Sequence, residues 1–165
     1  MSVFKTVPRL VAIAVVTFLA APAALAADAS VAVTGQVQHP TTLTAADLEK
    51  LPAASVAISL GPDRGPQSAN YTGALLWTVL SNASPIDAPG KNAKLRHTYL
   101  VTASDGYAVS LSEGEIDPDF EGKSVLLAYA KDGKPLDPTD GIRLIVPGDH
   151  KGGRAVRGVV KIDVQ

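Results

Sequence analysis

The residues of this chain best suited to chemistry collect near its C-terminal end. Arg143, His150, Lys151, Arg154 and Arg157 lie close together, and glycines stand among them in Pro147-Gly148-Asp149-His150-Lys151-Gly152-Gly153-Arg154. Glycines let backbone N–H groups converge in a loop, and arginine forks match phosphate oxygens, so this spacing suits a phosphate-bearing, anionic ligand. The plainer reading is a solvated glycine turn between two strands, with arginines that serve solubility. From Arg143 onward there are five basic residues and two acids, whereas Asp105 to Asp140 holds nine acids and three lysines. Glu113, Glu115, Asp117 and Asp119 cluster in that acidic stretch, and such a run reads as a solvated face.

Other chemistries lack their residues. The chain has 165 residues and no cysteine, which excludes a thiol nucleophile, a cysteine-ligated zinc or iron–sulfur site and a disulfide scaffold. His39, His97 and His150 lie far apart, without the paired helical spacing of a zinc hydrolase, so no metal ligand set is expected. There is no Gly-x-Ser-x-Gly elbow and no Walker or dinucleotide glycine motif. Fifteen Lys plus Arg against 16 Asp plus Glu give a formal net charge of −1, and 46% of the residues are apolar. That balance argues against nucleic acid as a partner and against wholesale disorder. The length fits one domain.

The first residues read as an address. Lys5 and Arg9 precede the uncharged apolar run Leu10 to Ala20, and Ala24-Leu25-Ala26 offers small residues for cleavage before Ala27. Residues 1–26 are therefore expected to be a signal peptide and 27–165 the mature domain, periplasmic or secreted and free of the membrane after cleavage. A membrane anchor is the rival reading, because Leu10 to Ala27 carries no charge and just reaches spanning length. Pro22 and the alanine-rich end fit cleavage better.

The elements that must position the basic cluster are mostly strands. Ser30 to Val37, Val56 to Leu60, Thr98 to Ala103, Tyr107 to Leu111, Val125 to Ala130, Ile142 to Val146 and Val156 to Val164 have strand character. Thr44 to Asp47 starts a short helix as a capping box, with Leu43 and Leu48 as its staple, and Pro52 closes it. Thr72 is expected to cap a second helix carrying Leu75, Leu76, Val79 and Leu80 on one face. Asp105-Gly106 and Asp132-Gly133 are tight-turn signals, and Ser112 to Glu115 could cap one helical turn. Gly61 to Asn70, with two prolines and two glycines, reads as a loop of the kind that carries function. About seven short strands and two modest helices make a compact α+β domain, a mixed β-sheet with a few short helices.

The order of these pieces resembles the oxidoreductase molybdopterin-binding domain of the sulfite oxidase family. Val33-Thr34-Gly35-Gln36-Val37-Gln38-His39-Pro40 is similar to the family's first strand and turn, and Leu43 to Leu48 to its Leu-Thr-x-x-Asp-Leu helix. Tyr71-Thr72-Gly73-Ala74-Leu75-Leu76 and Ser104-Asp105-Gly106-Tyr107 follow in the family's order. Leu127-Ala128-Tyr129, Asp132-Gly133-Lys134-Pro135-Leu136 and Gly141-Ile142-Arg143-Leu144-Ile145-Val146-Pro147-Gly148 form the most specific stretch. The resemblance implies the sulfite oxidase-like molybdopterin-binding fold and, in larger members, a molybdenum–pterin cofactor that transfers oxygen atoms.

It also implies that a cysteine thiolate after the strand matching Val56 to Leu60 binds the metal. Leu60-Gly61-Pro62-Asp63 stands there instead, and an aliphatic side chain cannot replace a soft thiolate. The family's closing Lys-Trp pair is Arg157-Gly158 here, so the cation is kept and the ring is lost. The expected function is therefore a binding module for a small anion or pterin, or for a protein partner, without thiolate-ligated molybdenum. Arg143, Arg157, Arg154, His150 and Lys151 are the candidate ligand contacts, and no catalytic residue is assigned. No cofactor is certain; molybdopterin stays open. The alternative is an active oxidoreductase that holds the cofactor through pterin contacts alone.

Overall fold

The computed structural model describes residues 29–59 and 68–165. The expected signal peptide, and most of the Gly61 to Asn70 loop, lie outside the described residues. Two five-stranded sheets make up the domain. The first runs in the order β2 (Thr41–Thr44), β1 (Ser30–Gly35), β10 (Val159–Val164), β5 (Thr98–Ala103), β6 (Ala108–Ser112). Its β1 and β10 pair in parallel and its other neighbours antiparallel. The second sheet runs β3 (Ala53–Ser59), β4 (Ser68–Leu75), β7 (Leu126–Lys131). The far side of β7 is shared by β8 (Lys134–Pro135) and β9 (Arg143–Ile145). The mixed, sheet-dominated α+β architecture is the one the sequence leads us to expect.

Alternation along the strands sends one set of side chains into a common core. Val31, Val33, Tyr99, Val101, Ile162 and Val164 of the first sheet meet Ala74, Leu127 and Leu144 of the second. Leu76, Val79 and Leu80 of α2 (Leu76–Ala83) complete this cluster. Each fully buried aliphatic side chain contributes about 1.5–3 kcal/mol of transfer free energy, so this cluster dominates stability. A smaller cluster of Ile58, Tyr71, Leu126, Ala128 and Ile145 covers the opposite face of the second sheet. Gly35 (φ +91°) turns the chain out of β1 where any Cβ would collide with the Val164 carbonyl.

The capping boxes form as expected. At the start of α1 (Ala45–Glu49), the Asp47 N–H donates to Thr44 Oγ1 at 3.2 Å and the Thr44 N–H to Asp47 Oδ2 at 3.1 Å. The box at Ser112 and Glu115 opens α3 (Glu113–Ile116). Asp132 and Gly133 both take positive φ, 50° and 74°, as a tight hairpin between β7 and β8 requires.

Thr72 behaves differently from expectation. It lies inside β4, paired with Ser55 on one side and Ala130 on the other, and caps nothing. Strand neighbours on both sides outcompete a local cap. The helix starts at Leu76 instead, whose N–H donates to the Val125 carbonyl at 2.8 Å, so Leu75 belongs to the strand. The closing strand is also shorter than expected, Val159–Val164 rather than Val156 to Val164. Among the described residues there are ten strands and three α-helices, against about seven and two expected.

Candidate functional site

β9 has three residues, and their side chains divide between two environments. Its register sets Arg143 opposite Ala128, Leu144 opposite Leu127 and Ile145 opposite Leu126. Leu144 enters the main core, while Ile145 joins the second cluster on the other face. Arg143 lies on that second face, its guanidinium carbon 5.3 Å from the centre of the Tyr71 ring. It is only 6% exposed. Among the described residues its side chain has no hydrogen-bond partner and no ion pair, and its Nε is wholly enclosed. Partial desolvation of a guanidinium costs free energy, and a ring face returns only about 0.5–2 kcal/mol of it. Stability alone does not select such a residue.

Arg157 runs beside it. The Leu144 N–H donates to the Val156 carbonyl at 2.9 Å and the Val159 N–H to the Ile142 carbonyl at 2.8 Å, which brackets Arg143 and Arg157 on adjacent segments. Arg157 is exposed, with a loose 3.7 Å pairing to Asp140.

The glycine-rich segment between β9 and β10 folds as a braced loop. Arg154 grips Asp149 with Nε and Nη2 at 2.9 and 2.7 Å, and donates Nη1 to Glu115 at 2.8 Å. Three of its five N–H groups are thereby engaged. Asp149 first, then Glu115, hold the Arg154 charge even more firmly than usual. Burial works to raise the Glu115 carboxyl, but Arg154 and the Ser112 N–H outweigh it and hold it below the ordinary glutamate range. A second brace comes from the turn between β5 and β6, where the Tyr107 hydroxyl donates to the Gly153 carbonyl at 2.8 Å. That turn is itself fixed by the Tyr107 N–H donating to Asp105 Oδ1 at 2.9 Å.

Between this loop and the end of β3 lies a recess of about 260 Å³. Ala57, Ile58 and Ser59 form one wall, and His150 and Lys151 line the other. Both are exposed. A Cβ on Gly148 or Gly153 would meet only open space, so the loop backbone stays accessible to a ligand. The structure thus brings His150 and Lys151 to the recess and sets Arg154 behind them as a brace. Arg143 and Arg157 run side by side, outside the residues that line it.

The acidic cluster departs from the solvated face expected of it. Glu113 and Asp117 are buried, 4% and 1% exposed. Glu113 accepts from the Tyr99 hydroxyl, and Asp117 pairs with Lys94 at 2.7 Å. Burial pushes the Glu113 carboxyl above the usual range despite that hydrogen bond. His97 Nε2 lies 2.8 Å from Asp87 Oδ1. Tyr71 and Glu115 also matter to the site, and no local sequence signal points to their partners Arg143 and Arg154. Tyr71 is reached across two strands and Glu115 from 39 residues away.

Two sheets around one core, with Arg143-Leu144-Ile145-Val146-Pro147-Gly148 leading from β9 into the braced loop, make the sulfite oxidase-like fold that the resemblance implies. Residues 19–165 match the family of the oxidoreductase molybdopterin binding domain, and the chain belongs to it. It is 30% identical over 163 residues to the NADH nitrate reductase of Ulva prolifera, across 81% of this chain and 18% of that protein. The sulfane dehydrogenase SoxCD of Paracoccus pantotrophus shares the fold, with a TM-score of 0.60 at 21% identity over 82% of this chain and 37% of that one. The chain therefore spans well under half the length of either relative. The donor set bears on one route to molybdenum, ligation by a protein thiolate. Nothing in the chain can offer a thiolate, and the recess presents a hydroxyl, a carboxylate, an imidazole and an amine. These do not fit a metal held by protein sulfur. The cationic residues do fit an anionic group.

Proposed function

We propose that this chain is an exported binding module for a small anionic ligand, foremost the phosphate-bearing pterin, and works without thiolate-ligated molybdenum. The observation that carries this reading is Arg143, a buried cation whose hydrogen-bonding capacity the described residues leave unused. An anion reaching Arg143 would offset the partial desolvation of its guanidinium, so binding and stability would be linked. Arg157, on the neighbouring segment, adds an exposed charge that steers an anion inward. His150, Lys151 and the backbone around Gly148 supply donors at the recess, and Arg154 keeps that loop in place. Export rests on the signal-like residues 1–26. A protein partner would dock on the same basic surface.

The test is to purify the mature chain from a host that makes molybdopterin and to assay both pterin and metal. Bound pterin without stoichiometric molybdenum is the expected result, and its loss in Arg143→Met would assign the contact. Stoichiometric molybdenum would overturn this version. It would favour the second reading, an oxidoreductase that holds the cofactor by pterin contacts alone. The open recess at the end of β3 is what favours that alternative, since the resemblance puts the metal-binding residue just after this strand.

A further inference from the structure

Sheet edges tend to recruit another strand unless they are blunted by shortness, lysine, proline or a bulge. Three of the edges described here are blunted. β2 has four residues and runs directly into α1, and β6 has five and runs directly into α3. The far side of β7 is divided between the two residues Lys134-Pro135 and the three of β9. β3 carries no such protection. Its seven residues, Ala53-Ala54-Ser55-Val56-Ala57-Ile58-Ser59, pair with β4 at every position without a register shift. They contain no charge and no proline, and among the described residues β4 is their sole strand neighbour. Ala53, Ser55, Ala57 and Ser59 are all exposed.

We propose that β3 is a self-association edge, at which two copies of this chain join antiparallel about a two-fold axis through Val56. The sequence is self-complementary under that operation. Ala53 meets the partner's Ser59, Ala54 meets the partner's Ile58, Ser55 meets the partner's Ala57, and Val56 meets its own copy. Small side chains face small ones on one surface and apolar face apolar on the other, with no charge brought against a like charge. A charged foreign peptide would find no counter-charge along β3, which is why a second copy is the favoured occupant. The axis has a consequence for the recess. Ala57 and Ser59 line its wall, so the partner's Ser55 and the partner's Ala53 would extend that wall. This proposal rests on β3 alone and stands whether or not the recess takes an anion.

Sedimentation velocity of the mature chain over a dilution series should show a species of twice the monomer mass. Ser55→Lys/Ala57→Lys sets lysine against lysine across the axis and should leave a folded monomer, checked by circular dichroism. Ser55→Lys/Ala57→Glu sets lysine against glutamate and should restore the dimer. Because the chain has no cysteine, Val56→Cys introduces a single thiol that should oxidise to a covalent dimer even if the charged variants fold poorly. A wild type that stays monomeric, or that carries a foreign peptide in place of a second copy, overturns the proposal. So does a dimer that the two lysines leave intact, a charge swap that fails to restore it, or a thiol that stays free.

Discussion

The two faces of the second sheet are built from alternate residues of the same strands, and they differ in what they tolerate. Leu144 and Arg143 are adjacent on β9, yet one lies in the main apolar core and the other sets a cation beside Tyr71 with its Nε enclosed and unpartnered among the described residues. Side chains on the inner face can be accounted for by burial alone. The outer face carries a residue that burial alone would reject. Where a fold retains a charge at the expense of its own stability, ligand binding is the natural source of compensation.

Substitutions at four positions would break or sharpen this contrast. Leu144→Ala should have the largest effect on stability, about 2–5 kcal/mol by urea denaturation, because it opens a cavity in the main core. Arg154→Ala should lower stability by about 1 kcal/mol, since its ion pairs are partly exposed and screened. Arg154→Lys should not rescue it, because a lysine cannot reproduce the two-pronged contact with Asp149. The loosening would show as faster amide exchange around Gly152 and Gly153. Glu113→Gln should flatten the pH dependence of stability. Burial raises the Glu113 carboxyl in the fold, so its contribution is complete below the ordinary glutamate range and is lost as pH climbs through the raised value. The difference between wild-type and variant urea midpoints, followed from the ordinary glutamate range up to neutral pH, would carry that decline; the carboxyls held low, such as Glu115 and Asp163, are common to both proteins. Arg143→Met should change ligand-free stability least, within about 1 kcal/mol and towards greater stability, while abolishing anion binding. A strong loss of stability in Arg143→Met without ligand would erase the difference between the two faces.

Local signals were legible in the sequence and long-range ones were not. Thr44 with Asp47, Ser112 with Glu115, and the Asp-Gly turns each depend on residues two to three apart, and all formed. Thr72 misled because its cap competes with strand partners that no local pattern reveals. Glu113 and Asp117 looked like part of a solvated run because their partners, Tyr99 and Lys94, come from an earlier part of the chain. The basic cluster was visible as a composition, but composition cannot separate a buried Arg143 from a braced Arg154 and an exposed Arg157. That separation arises from the pairing of β9 with β7 and from Glu115, 39 residues away from Arg154. The fold itself was read from the order of many weak fragments, each short enough to survive sequence change.

One feature of the first sheet bears on how the molecule is made. β10, late in the chain, lies between β1 and β5, so neither half of that sheet can close before it emerges from the ribosome. Contacts so distant along the chain form slowly, and a nascent polypeptide lacking its central strand cannot lock into a rigid globule.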